Sequence, residues 1–181
     1  VDTEVLLRKY FCDDALAMIL AHGRVVADLA IDIAKEQGIA GTELRFVEEA
    51  ALLHDIGICK VQAAEIGLHG KHPYIMHGIL GRKILESEGL PEHALVCERH
   101  IGVGLTVEDI EAQKLPLPFR IMQPVSTAEQ IICFADLFFS KKPGYFEQRK
   151  SPGQVRAKLA AFGELKVKIF DEWLGRFGTA L

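Results

Sequence analysis

The sequence predicts an all-α fold, a single-domain bundle of helices, on three observations. Apolar residues recur in steps of three and four nearly throughout, and no convincing alternating run marks a strand. Helix start and stop residues punctuate the chain, with Asp, Thr, Ser or Pro before the periodic segments and Gly behind them. A length of 181 residues fits one domain with a sizeable core, so residues 1–181 are expected to fold as a unit.

Taken in order, residues 3–10 make a short first helix. Asp13 or Asp14 caps a long second one that runs to about Gln37 and stops at Gly38. Its buried stripe reads Ala15, Ile19, His22, Val26, Leu29 and Ile33, so His22 faces the core. Thr42 caps the next helix, about 43–55. Its apolar run Ala50-Ala51-Leu52-Leu53 ends in His54-Asp55-Ile56-Gly57, and Gly57 is expected to leave the helix in a left-handed conformation. A carboxylate at Asp55 must be neutralised, hydrogen-bonded or bound to a cation, because burying it unpaired is costly.

The segment 58–72 reads as irregular and polar, with Lys60, His69 and Lys71 in it. Pro73 opens a helix to about Glu88, with His77 in its first turns. Gly81 lies one turn on, where a missing side chain lets another backbone or a ligand come close. Pro91 opens the following helix, and His100 lies near its end. Thr106 to Asp109 reads as a capping box, and the Pro-rich stretch 115–124 as a connector or a lid. Ser126 to Glu129 reads as a second box. The helix it opens, Ile131 to Phe139, is apolar all round except for Asp136, so the acid is buried with it. Pro143-Gly144 breaks the chain. A C-terminal helical extension, about 152–178, then presents Val155, Leu159, Phe162, Ile169, Trp173 and Phe177 as a packing face.

Composition narrows the class. A hydrophobic content of 49% with 25% charged residues is that of a soluble globular protein, and no apolar run reaches the length of a membrane span. The net charge of −4 argues against a broad nucleic-acid-binding face but leaves room for a local basic pocket. The N-terminus lacks the basic and apolar regions of a signal peptide. Cys12, Cys59, Cys97 and Cys133 are scattered, with no C-x-x-C pair, as for reduced thiols of a cytoplasmic protein.

Collected from the core-facing helices, His22, His54, Asp55, His77, His100 and Asp136 form a nitrogen and oxygen ligand set. It suits a divalent transition metal (Fe, Mn, Co, Ni or Zn) and does not suit a structural thiolate zinc. Six ligands are more than one ion needs, and they fit two ions about 3.5–4 Å apart bridged by one carboxylate. Two divalent ions against two carboxylates leave a site near +2, which attracts phosphate.

These residues also carry a family resemblance. The order His22, His54-Asp55, Asp136 resembles the H…HD…D signature of the HD superfamily of metal-dependent phosphohydrolases, and Leu53 to Gly57 is similar to its HDIG subgroup. His77 with Gly81, Ile84 and Leu85 resembles that subgroup's H-x-x-x-G-x-x-I-L segment, and His100 falls where bimetallic members place a further histidine. The likeness spans about residues 12–140 and looks most like small stand-alone prokaryotic members. It implies an HD-type helical bundle with a metal site in the core. One ion would be held by His22, His54, Asp55 and Asp136, and the other by Asp55, His77 and His100. His54 and Asp55 would serve catalysis, a metal-activated water attacking a phosphoester or phosphoanhydride of a nucleotide or related metabolite.

Two departures narrow that expectation. Ile58 stands where the cyclic-dinucleotide phosphodiesterase branch has the lysine of HDIGK, and Ile101 to Gly104 follow His100 in place of the HHE…GYP element, so cyclic-dinucleotide specificity is not expected. Lys60 is a candidate to replace the missing lysine. Arg24, Lys60, Arg82 and Arg99 are near the ligands in sequence and are candidates to contact substrate phosphate, Arg being the better bidentate partner. His69 and His72 compete with His77 as ligands, and His93 reads as a surface residue. The expected partner is a small phosphorylated substrate, with no nucleic-acid scaffold and no membrane. Two alternatives remain at this stage: a di-iron oxygenase of the same fold, and a non-catalytic nucleotide-binding module.

Overall fold

The apolar stripes of the sequence become helices in a computed structural model that describes residues 1–142, 145 and 148–181, Glu65 by its backbone. Among these residues the α-helices are α1 (Thr3–Arg8), α2 (Asp13–Glu36), α3 (Gly41–Leu53), α4 (His77–Ser87), α5 (Pro91–Arg99), α6 (Val107–Ala112), α7 (Thr127–Leu137), α8 (Pro152–Ala160) and α9 (Glu164–Phe177). The expected break at Pro143-Gly144 lies outside the described residues.

On α2, Ile19, His22, Val26, Leu29 and Ile33 are buried as their spacing requires. Its start differs from expectation. Cys12 is the N-cap and makes no side-chain cap bond, while Asp13 and Asp14 lie inside the first turn, where their charge complements the helix dipole. Likewise Thr42 sits within α3 rather than capping it, because the chain enters at Ala40 and turns at Gly41. The helices α2 and α3 pack closely, and a Cβ on Gly23 would stand 3.2 Å from the Leu52 carbonyl oxygen. That approach sets His22 beside the end of α3.

Gly57 corrects a sequence expectation. It is not left-handed; it lies in a 3-10 turn, Ile56–Lys60. A Cβ there would fall 2.0 Å from the His77 carbonyl oxygen and 2.4 Å from the Gly81 nitrogen. The glycine is needed for close approach of backbone to α4. Gly81 is its counterpart, as expected for a missing side chain at a crowded crossing.

The segment 58–72 is more ordered than its composition implies. Strands β1 (Gln62–Ala63) and β2 (Leu68–His69) form a tiny antiparallel hairpin, too short for alternation to register in the sequence. Pro73 opens a 3-10 turn, Tyr74–Met76, ahead of α4. The stretch 115–124 is a packed connector: Leu105 and Met122 exchange backbone hydrogen bonds at 2.9 Å, and Leu117 and Met122 are buried.

Thr106 and Asp109 form the expected capping box. Ser126 caps its helix, but the Glu129 carboxylate turns to the Val125 amide and to Arg99, so that box is half formed. The C-terminal face is also rephased. Gly163, at φ +113°, separates α8 from α9, so Phe162 is exposed and Phe170 is buried against Phe134 and Phe138.

Three apolar clusters result among the described residues. One joins α2, α3, α7, α8 and α9; a second joins α1, the start of α2, the 3-10 turn after α3, α4 and α5; a small third gathers Ile79, Leu105, Ile110, Leu117 and Met122. The ends of α3, α5 and α7 and the start of α4 meet between the first two.

Candidate metal centre

Three histidines sit where helices end or begin, and that local setting fixes their chemistry. The last carbonyls of a helix have no intrahelical partner. His54 Nδ1 lies 2.5 Å from the Ala51 carbonyl oxygen, His77 Nδ1 2.7 Å from that of Tyr74, and His100 Nδ1 2.8 Å from that of Cys97. Each Nδ1–H therefore donates to the carbonyl three residues back. Each Nε2 then points inward and offers a lone pair when the ring is neutral, His54 having first to yield its Nε2 proton to a cation.

These lone pairs converge on two carboxylates. Asp55 Oδ2 is 3.4 Å from His22 Nε2 and 3.2 Å from His54 Nε2, while Asp136 Oδ1 is 3.0 Å and 3.5 Å from the same two atoms. The other oxygen of Asp55, Oδ1, is 3.5 Å from His77 Nε2 and 3.4 Å from His100 Nε2. Asp55 thus divides its oxygens between two groups, one drawn from α2, α3 and α7, the other from α4 and α5.

This arrangement is unfavourable without cations. The Nε2 atoms of His77 and His100 stand 3.1 Å apart with lone pairs facing. His54 Nε2 and both oxygens of the fully buried Asp55 have no aligned hydrogen bond among the described residues. Buried polar atoms left in that way are expensive. A divalent ion with bonds near 2.1 Å holds neighbouring ligand atoms at about 3.0–3.4 Å in octahedral or tetrahedral geometry. The spacings within each group, 3.0–3.5 Å, are of that size. The side chains fit a divalent metal site.

The structure brings His22, His54, Asp55, His77, His100 and Asp136 together. Asp136 departs from the expected full burial: its side chain is 17% exposed, because it opens onto a cleft of about 930 Å³. The other expected residues lie elsewhere. Arg24 and Lys60 are exposed, and the Lys60 carbonyl accepts from the amides of Lys71 and His72. Arg82 is held by Glu86 and the buried Glu98, and Arg99 by both oxygens of Glu129, so these guanidiniums are already spoken for. His69 and His72 are exposed on or beside the hairpin. His93, expected at the surface, is buried against Phe46 with Nε2 3.3 Å from Glu49, because its face of α5 packs on α3.

One residue escaped the sequence reading. Lys141 extends its ammonium to 2.7 Å from Asp55 Oδ2 and 3.7 Å from Asp136 Oδ1. Burial would raise both carboxyls, but Lys141 and the neighbouring imidazoles outweigh it and hold them well below the usual range. Burial pulls His54 down, yet Asp55 and Asp136 prevail and push it up to about 10. In His77, burial and the facing His100 bring the value down to about 4, so it stays neutral near pH 7. The carbonyl of Tyr74, a residue 38% exposed, orients His77. The sequence signal for Lys141 was slight: a lysine shortly after Asp136, where the helix has ended.

Residues 19–139 match the HD domain. Relatives include a tRNA (cytidine(56)-2'-O)-methyltransferase of Thermoplasma volcanium, 35% identical over 75% of this chain and 35% of that protein, and another so named from Picrophilus torridus, 32% identical over 73% and 33%. The chain spans about a third of the length of these two. A third relative, an uncharacterised protein of Methanocaldococcus jannaschii, is 36% identical over 76% of this chain and 73% of its own. In fold, the chain is similar to the crystal structure of the HD domain of the L. monocytogenes phosphodiesterase PgpH, with a TM-score of 0.56, 15% identity and 96% of each chain covered.

Proposed function

The chain belongs to the HD domain family, and from that premise we propose that it is a metal-dependent phosphohydrolase acting on a phosphoester or phosphoanhydride of a small phosphorylated substrate, a nucleotide or related metabolite. His22, His54, Asp55 and Asp136 would hold one divalent ion; Asp55, His77 and His100 would hold a second, with Asp55 as the bridge. The observation that carries this is the convergence of four inward-facing imidazole nitrogens on the two oxygens of one buried carboxylate, Asp55, at 3.2–3.5 Å, with the Lys141 ammonium beside it. Bound ions supply a water of lowered pKa and charge to oppose that of phosphoryl oxygens.

The chain's own residues do the rest. Backbone carbonyls hold the three Nδ1 protons, so the rings cannot turn away from the centre. Asp136, His77 and His100 are the proposed ligands that line the cleft, Asp136 on the side of the first ion and the two histidines on the side of the second. Lys141 balances the two carboxylates and, from the cleft wall, is within reach of an incoming phosphate. Apolar side chains lining the cleft, among them Ile75, Ile101 and Val103, offer a surface for the uncharged part of a nucleotide.

The test is turnover of a phosphate panel by metal-loaded protein beside His54→Ala. Equal turnover by both, or none by either, rejects the reading. The oxygenase alternative shares the ligand set, but the cations of the cleft favour an anionic substrate, and full turnover with a redox-inert metal removes that alternative. The methyl transfer in the names of two relatives belongs to proteins of which the matched stretch is about a third.

A further inference from the structure

The cleft is more basic than one phosphate requires. Lys141, Lys142, Arg149, Lys150, Lys158 and Lys166 line it, the last of them paired with Asp109, while Asp136 is the one carboxylate on its wall among the described residues. The chain as a whole carries a formal charge of −4, so this is a segregation of charge and not an average property. All six cations lie beyond residue 139, where the match to the family ends.

These cations share one cleft with the metal centre. Lys141 touches Asp55 and Asp136 at the metal centre. Lys150 donates to the carbonyls of Leu137 and Phe139, which fixes it beside the end of α7, the helix that bears Asp136. Lys158, on α8, adds a like charge next to Lys150. Burial and then Lys158 bring the Lys150 ammonium down to about 8. Among the described residues no carboxylate lies within ion-pair distance of Lys142, Arg149, Lys150 or Lys158. Like charges gathered in one cleft, with no counter-ion to these four among the described residues, attract an anion. The apolar wall between them, with Leu137, Phe139, Val155 and Leu159, has the character of a surface for a flat ring. At about 930 Å³ the cleft is at the upper end of the range for small-ligand sites.

We propose that Arg149, Lys150 and Lys158 form a second phosphate subsite, so that the substrate is a nucleotide carrying a phosphate remote from the one placed at the metal centre. This rests on the phosphohydrolase reading for the first phosphate but not for the second. A substrate with one phosphate would leave the outer cations unmatched.

The experiment titrates adenosine 3',5'-bisphosphate and adenosine 5'-monophosphate into metal-loaded protein at fixed ionic strength, with release of inorganic phosphate followed in the same samples. Wild type is expected to bind the bisphosphate at least about tenfold more tightly, the effect of one charge-assisted contact. In Arg149→Gln/Lys158→Gln that ratio falls to within about twofold of unity. Both residues are exposed, so the variant folds. Lys168→Gln, which removes an exposed charge outside the cleft, keeps the ratio. Equal wild-type affinity for the two probes, no binding of either, a ratio that survives the double substitution, or one lost equally in Lys168→Gln overturns the subsite. Preference without phosphate release supports the subsite and overturns the hydrolase. Release without preference does the reverse.

Discussion

Gly57→Ala would test how the metal centre is held. A Cβ at position 57 lies 2.0 Å from the His77 carbonyl oxygen, 2.4 Å from the Gly81 nitrogen and 2.9 Å from the Gly81 Cα, where ordinary contact begins at 3.4 Å. The atoms it meets are backbone, so no side chain can swing aside, and α4 must withdraw by about 1.4 Å. Overpacking of this kind costs about 1–3 kcal/mol, and a clash with two backbone segments falls at the top of that range. At roughly 2–4 °C per kcal/mol for a chain of this length, the melting temperature should fall by roughly 6–12 °C. The same displacement is several times the ~0.2 Å tolerance of a metal–ligand bond. His77 begins α4, whereas His22, His54 and Asp136 come from α2, α3 and α7. The variant should therefore lose the ion assigned to His77 and His100 and keep the other. Thermal melting and elemental analysis of the same preparation read both effects. Wild-type melting with wild-type metal content would refute the close-approach account of this glycine.

Other consequences are simpler to test. Asp136→Ala should lower metal content and stability together, since ligand and helix position coincide; unchanged metal stoichiometry and melting temperature would remove it from the ligand set. Lys141→Met leaves Asp55 and Asp136 without their nearby ammonium, so after chelation the variant should melt well below chelated wild type, while metal-loaded samples differ little. A deficit of equal size in both states would show that Lys141 only packs. Lys150 holds its proton less tightly when folded, at about 8 against 10.5, among Lys158, Lys141 and Asp136. The unfolded chain binds the extra proton between those values, so wild type should gain stability relative to Lys150→Met as pH rises from about 8 to about 10.5, and parallel melting curves would contradict this.

How legible was this protein? Four of the six clustered side chains are readable from an apolar helical run that they interrupt or close, while His77 and His100, at helix ends, are readable through the family resemblance. His22 and Asp136 occupy core-facing positions, and His54-Asp55 closes the run of α3, so burial itself demanded a partner for them. The helices followed from the same periodicity. Caps at Thr42 and Asp13 were misjudged because a suitable residue type near a helix start is common, while the entry angle of the chain decides which residue caps. Phe162 and Phe170 exchanged roles because Gly163 resets the helical phase, which no count of threes and fours registers.

By itself the sequence determined an all-helical chain and the acids and imidazoles that its interior must neutralise, because a polar group in an apolar stripe is costly wherever the helix packs. Only the tertiary structure decided which cations serve the site. Arg82 and Arg99, close in sequence, are taken by Glu98 and Glu129, while Lys141, Lys150 and Lys158 reach the cleft from beyond the last helix of the ligand set. Long charged side chains on mobile stems follow no periodicity, and their partners are chosen by distance in the folded chain.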